Sequence, residues 1–557
     1  MISRFFLTIA LFFAAIVLHA AEPTSTAPRL AVVISVDQLR ADYLIRFRPF
    51  FGEGGFNRLL EGGLDFQNNH YRHANTQTAP GHATILSGAF PHVHGIISND
   101  WLDRDLWEVI NNVEDRTSPL VGLSPADASA ALLAPNAGRS PRNFQAATVG
   151  DQLKLRFGDR SKVFAASNKD RSAILLGGKL ADSAYWDEAG VMVTSRYYRE
   201  QVPAWVKAFN DERLVHATFG KTWDRVRETA IYDAVQGPDD APGEMAELGL
   251  ARTFPKRITG GREVISPAFF SAFDNSPFSS EFLGEFVQRA IREEKLGHSP
   301  ATDLLCVGFS QIDSMGHSYG PDSHEVMDSM IRLDRVLAAL LDTIDREVGL
   351  ARCVVVLTAD HGVSPMPDRA LAMRSDLPAG RVKLSDLDAP GRKALDGAFG
   401  PLEAPMYWFT RDNMGFYFRP DALAAKKLTV EEAGQVLKAS VVKFPYIAMA
   451  YTRNEVLAAS GEGESLLAMS HRGFHPARDR DVGFVLKPYY YPGRANNVGT
   501  THGSPYAYDT HVPQLWFGAG VPHGVRIDRV GVEDIAPTLA ALLGLSAPPE
   551  AQGRRLF

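Results

Sequence analysis

Three aspartates each close an apolar segment, and histidines stand close behind two of them. Asp37 ends LAVVISVD (residues 30–37), Asp313 ends DLLCVGFSQID (303–313), and Asp360 closes the apolar part of CVVVLTADHG (353–362). His317 follows Asp313 by four residues in DSMGH, and His361 follows Asp360 directly in TADHG. Carboxylate and imidazole together form the donor set of zinc and related divalent ions. One Asp-His pair is weak alone. Three aspartates in equivalent settings with two companion histidines form a stronger pattern. The competing reading makes the carboxylates caps of following helices, and Asp37 and Asp313 each fit it.

A hydroxyl nucleophile stands in TQTAPGHATILSG (76–88). Thr78 precedes Ala79, Pro80 and Gly81 and then a helix-like stretch. Threonine is a good helix N-cap, and proline is tolerated in a first helical turn. A hydroxyl there meets unpaired backbone N–H groups and the positive end of the helix dipole, a place that suits a phosphate. A plain threonine cap is the alternative.

The elements that must position these groups follow from patterning. The three apolar runs are rich in β-branched residues and lack alternation, the mark of strands buried on both faces of a parallel sheet. Helical patterns lie between them, as in residues 325–349. The fold class expected is α/β: a doubly wound, mostly parallel sheet with helices on both faces. Such sheets place ligand sites outside the carboxyl ends of their strands, where the three aspartates would converge. A last strand-like run, VPQLWFGAG (512–520), precedes a helix-like VEDIAPTLAALLG (532–544). Residues 181–300 and 366–498 break the rhythm and read as inserted cap segments. The core is then 29–180, 301–365 and 499–557.

The N-terminus reads as a signal peptide over residues 1–21. Arg4 supplies the positive charge, an apolar run extends from Phe5 to Leu18, and Ala20 and Ala21 follow. An uncleaved anchor is the competing reading. The mature protein is expected to be periplasmic or secreted, with no membrane anchor after cleavage. The formal net charge of −7 argues against nucleic acid as a partner and against binding to an anionic membrane surface. Cys306 and Cys353 both sit in buried-strand runs and read as free thiols at similar depth in the sheet.

The motifs SVDQLR, TAPGHATILSG, GIISNDW, SNKDR, DSMGH, TADHG and THGSPY together resemble the alkaline phosphatase superfamily. Within it the chain is similar to the phosphate-irrepressible, broad-specificity alkaline phosphatases of the PafA type. The likeness runs in family order from residue 32 to about residue 545. It implies two zinc ions per chain. One would be held by Asp37, Thr78, Asp360 and His361, the other by Asp313, His317 and His502. Asn99 of GIISNDW would contact a phosphoryl oxygen. Lys169 and Arg171 of SNKDR match the basic pair that holds the phosphoryl group. His82, His475 and His511 are rivals for the last metal position, and His502 is preferred on the resemblance.

The implied activity is zinc-dependent hydrolysis of small-molecule phosphate monoesters through a phosphothreonine on Thr78. The alternatives are a phosphodiesterase or nucleotide pyrophosphatase of the same superfamily, or an inactive phosphate-ester-binding protein on that scaffold. A sulfatase would need a C/S-x-P-x-R context, which Thr78 does not have. A phosphoethanolamine transferase would carry several membrane spans. The oligomeric state is left open.

Overall fold

Burial on both faces is what the three apolar runs require, and an eleven-stranded mixed sheet provides it. The computed structural model describes residues 27–134, 137–246, 249–374, 376–493 and 498–557; the expected signal peptide lies outside them. In chain order the strands of this sheet are β1 (Leu30–Val36), β2 (Leu64–Phe66), β3 (Glu114–Val121), β4 (Gly138–Arg139), β5 (Val163–Ser167), β6 (Ser183–Glu188), β7 (Val191–Ser195), β8 (Asp303–Phe309) and β9 (Cys353–Thr358). A second sheet follows, made of β10 (Phe409–Arg411), β11 (Gly415–Phe418), β12 (Ile447–Thr452) and β13 (Val482–Leu486). The chain then returns to the first sheet with β14 (Leu515–Gly518) and β15 (Gly524–Arg526).

The spatial order is β15-β2-β14-β9-β1-β8-β5-β6-β7-β3-β4. Its centre, β9-β1-β8-β5-β6, is parallel throughout, with Val33 level with Cys306 and Val356. The flanks are antiparallel where β14 meets β9 and where β7 meets β6. Every residue of β1, β8 and β9 is buried, which explains why these segments lack alternation. Helices cover both faces, so the expected α/β class describes the fold.

Five helices matter for the site or its support: α1 (Thr78–Ser87), α2 (Asp170–Gly177), α3 (Phe278–Glu293), α4 (Gln311–Tyr319) and α5 (His324–Glu347). Helix α5 matches the periodic stretch expected over 325–349. The Ser323 side chain caps its start by accepting from the Val326 N–H. Val326, Met330, Leu333, Leu337 and Ile344 recur at helical spacing and are buried.

The expected cap over residues 181–300 is corrected by the structure. Strands β6 and β7 belong to the main sheet, and α3 buries Phe282, Leu283, Phe286, Val287 and Ala290 in the main core. The segment's many aromatics are core side chains, among them Trp186, Trp223 and Phe269, and only their mixture with surface charges hid that in composition. Residues 366–498 behave differently. Strands β10–β13 form their own antiparallel sheet, and Leu387, Trp408, Phe416, Leu437 and Val482 form a separate apolar cluster beneath it.

Cys306 and Cys353 are free and buried. They are not at one depth. Cys306 is level with Val33 and Cys353 with Leu30, with β1 lying between their strands.

Candidate active site

The parallel centre ends at one edge, and the acidic residues leave it there. Asp37 directly follows β1, and Asp360 stands two residues beyond β9. Asp313 differs from expectation: β8 stops at Phe309, and Asp313 lies in the first turn of α4. The helical i to i+4 step then puts His317 beside it, with Nε2 3.2 Å from Asp313 Oδ1.

Thr78 also differs from expectation by one position. Gln77 holds the cap of α1 with extended backbone, and Thr78 is the first helical residue. Its hydroxyl still sits at the helix N-terminus, 1% exposed, with Oγ1 3.4 Å from His361 Nε2. The same Nε2 lies 3.4 Å from Asp37 Oδ1 and 3.4 Å from Asp360 Oδ2. Thr78, Asp37, Asp360 and His361 are thus gathered around one point. A second gathering adjoins it: His317 Nε2 and His502 Nε2 lie 3.2 and 3.6 Å from Asp313 Oδ1. The His361 and His502 rings stack with centroids 3.5 Å apart.

The histidines are oriented for a cation. Nδ1 of His317 faces the Thr500 carbonyl, Nδ1 of His361 the Gly362 carbonyl, and Nδ1 of His502 the Thr76 carbonyl. A carbonyl only accepts, so each Nδ1 carries the proton and each Nε2 presents a lone pair to the centre. Asp37 Oδ1 is buried without a hydrogen-bond partner. Two groups of donors that share Asp313 each have their ligand atoms within 4.8 Å of one another: Asp313, His317 and His502, and Asp37, Asp313 and His361. This donor set fits divalent metal.

Charge crowding is severe. Burial, and then the Asp313 and Asp360 carboxylates, push the Asp37 carboxyl well above the usual range. Burial also acts to raise Asp313, but the Lys169 ammonium and then His317 outweigh it and hold it well below its ordinary value. Lys169 stands at the residue before α2, with Nζ 2.6 Å from Asp37 Oδ2 and 2.6 Å from Asp313 Oδ2. Burial, with His361 next, keeps His502 well below the ordinary imidazole value and therefore neutral, the form that ligates a metal.

The groups expected to hold a phosphoryl oxygen surround Thr78 unequally. Asn99 Oδ1 accepts the Ala79 N–H at 2.9 Å, which ties this side chain to the first turn of α1. Gln77 fixes the Asn99 backbone, its Oε1 accepting the Asn99 N–H and the Ser98 hydroxyl, both at 2.9 Å. Arg171 sits in the first turn of α2, with Asp170 3.8 Å away and its Nε buried without a partner. No hydrogen bond joins Arg171 to another of the expected site side chains among the described residues. A cavity of about 610 Å³ opens beside Asn99, His317 and His502, and Met414, Tyr490 and Tyr491 of the second insertion wall it.

The rival histidines fall elsewhere. His82 is inside α1, with Nδ1 2.8 Å from the Thr78 carbonyl and 3.2 Å from Asp360 Oδ2, so it backs a carboxylate. His511 stacks on His70, and His475 meets Gln145. Sequence reasoning did not single out Gln38 or Gln77. Each is adjacent to a candidate residue, the only signal in the sequence that points to them.

A family pattern described as type I phosphodiesterase / nucleotide pyrophosphatase matches residues 31–398. The alkaline phosphatase PhoV of Synechococcus elongatus is 32% identical over 95% of this chain and 92% of that protein. The alkaline phosphatase PafA of Elizabethkingia meningoseptica is 31% identical over 96% of this chain and 95% of that protein. A crystal structure of wild-type PafA superposes with a TM-score of 0.85 at 30% identity, covering 95% of this chain and 98% of that one.

Proposed function

The chain belongs to the type I phosphodiesterase / nucleotide pyrophosphatase family, among its alkaline phosphatases, and from that premise we propose that it hydrolyses small phosphate monoesters through Thr78 with two zinc ions. The observation that carries the reading is the convergence of Thr78 Oγ1, Asp37 and Asp360 on His361 Nε2, each at 3.4 Å, beside the Asp313–His317–His502 set.

Asp37, Asp360 and His361 would hold one zinc with Thr78, and Asp313, His317 and His502 the other. When bound, the two ions supply Lewis-acid stabilisation of the attacking and leaving oxygens of an in-line displacement. Thr78 Oγ1 attacks phosphorus as the bond to the ester oxygen breaks on the opposite side, and the hydroxyl proton that Thr78 gives up ends on the departing alkoxide, giving a phosphothreonine and the free alcohol. The cavity beside His317 and His502 receives that alcohol. Water then cleaves the phosphothreonine and Thr78 regains its proton. The Asn99 amide N–H donates to a non-bridging oxygen, and Lys169, which Asp37 and Asp313 hold at the edge of the site, joins Arg171 in neutralising the others. Two cations facing the phosphoryl group favour a dianionic monoester over a monoanionic diester.

Among the described residues no helix is long and apolar enough to cross a membrane. Export to the periplasm or outside the cell is part of the same proposal and rests on the N-terminal apolar run. Purified, zinc-loaded protein should turn over aryl phosphate monoesters faster than matched diesters, lose that activity in chelator and regain it with zinc. Full turnover by metal-free protein, or a diester preference, would overturn the reading.

A further inference from the structure

Gln38 is buried completely, immediately after Asp37, and carries a left-handed backbone at φ 67°. That conformation costs a non-glycine residue roughly 1–2 kcal/mol, so something must hold it. Its contacts show what. The Gln38 backbone N–H donates to Asp360 Oδ1 at 3.1 Å. Its side-chain Nε2 donates to Asp313 Oδ1 at 2.6 Å and to the Asp313 carbonyl at 3.3 Å. Both partners of Nε2 are acceptors, so the network dictates the amide orientation. Gln38 Oε1 then rests over Gly316, where a Cβ would fall 1.7 Å from it.

We infer that Gln38 is a positioning residue that ties the two metal half-sites together, one carboxylate through its backbone and the other through its side chain. At Asp360 the bond takes Oδ1 and leaves Oδ2 for the centre beside His361. At Asp313 the bond falls on Oδ1 itself, the oxygen between His317 and His502, and fixes it there while Lys169 holds Oδ2. Gly316 is the matching half of the device, because only a residue without Cβ lets the glutamine amide reach Asp313. Outer contacts of this kind are worth roughly 10–100-fold in metal affinity.

The inference rests on the proposed two-zinc site, and zinc titration into chelator-stripped protein tests both. The wild-type chain should take two zinc ions. Gln38→Leu removes the side-chain bond and keeps the backbone N–H. It should weaken one zinc site by roughly 10–100-fold and leave the other unchanged. Gly316→Ala should give the same one-site loss by pushing the amide away. In a Gln38→Ala background, adding Gly316→Ala should produce no further loss, since the obstructed group is gone. Thermal unfolding of the stripped proteins keeps a folding defect distinct from a zinc-site defect. Two unchanged zinc affinities in both single variants, or equal weakening of both sites, would overturn the role given to Gln38. A wild-type chain that binds no zinc would overturn the zinc reading itself.

Discussion

Lys169→Met is the most informative single perturbation of this site. The Lys169 ammonium lies 2.6 Å from Asp37 Oδ2 and 2.6 Å from Asp313 Oδ2, with the three side chains 18%, 1% and 7% exposed. At an effective dielectric of about 20 each contact carries roughly 6 kcal/mol of gross Coulomb attraction. Desolvating the ammonium offsets much of that. Removing the cation alone leaves two buried carboxylates uncompensated, next to Asp360. Breaking such a buried pair from one side costs about 3–5 kcal/mol. Methionine keeps most of the stem's volume, so the loss is electrostatic rather than a cavity. The assay is urea unfolding of wild type and variant, once in chelator and once in excess zinc. In chelator the variant should lose about 3–5 kcal/mol. In zinc the loss should be smaller, because divalent charge neutralises the same carboxylates. A loss below about 1 kcal/mol in chelator, or an equal loss in both conditions, would refute the account of Lys169 as the counter-charge of this cluster.

Three further outcomes are expected. Acid quenching during turnover should trap a phosphopeptide containing Thr78; Thr78→Ala should abolish it with most zinc affinity kept, Thr78→Ser should retain much of the rate, and label on any other residue would refute the assignment. Lys169→Ala/Arg171→Ala should lower monoester turnover by roughly 10³-fold or more and diester turnover much less; equal losses would mean that the pair supports the fold or the metals rather than selecting the dianion. Asp509, buried behind the His502 loop with Oδ2 accepting the Ser504 N–H and hydroxyl, has its carboxyl pushed up to about 7 by burial, against which the Ser504 hydrogen bonds act. A carboxyl raised on folding stabilises below its unfolded value and loses that contribution as pH rises through the folded one. Asp509→Asn keeps an acceptor for both Ser504 donors, so the difference in unfolding free energy should move in favour of the variant by about 2–3 kcal/mol between pH 5 and pH 8; a pH-independent difference would refute it.

What the sequence by itself determined was local. Uninterrupted β-branched runs can be satisfied only by strands covered on both faces, so β1, β8 and β9 were legible, as was the periodic helix α5. Residue type and spacing also marked Thr78 and the aspartate and histidine sets, because the acidic residues come where apolar patterning stops. Local pattern does not encode partners distant in the chain. Only tertiary structure decided that β6, β7 and α3 complete the main sheet and core, since a segment of mixed composition shows its apolar face only when packed. Only tertiary structure brought His502, and not His475 or His511, beside Asp313, because the Thr76 carbonyl that orients its ring is 426 residues away. Gln38 is the sharpest case. Its identity is one polar letter in SVDQLR, and its left-handed backbone and its reach to Asp313, 275 residues on, exist only once β1, α4 and the loop after β9 have packed together.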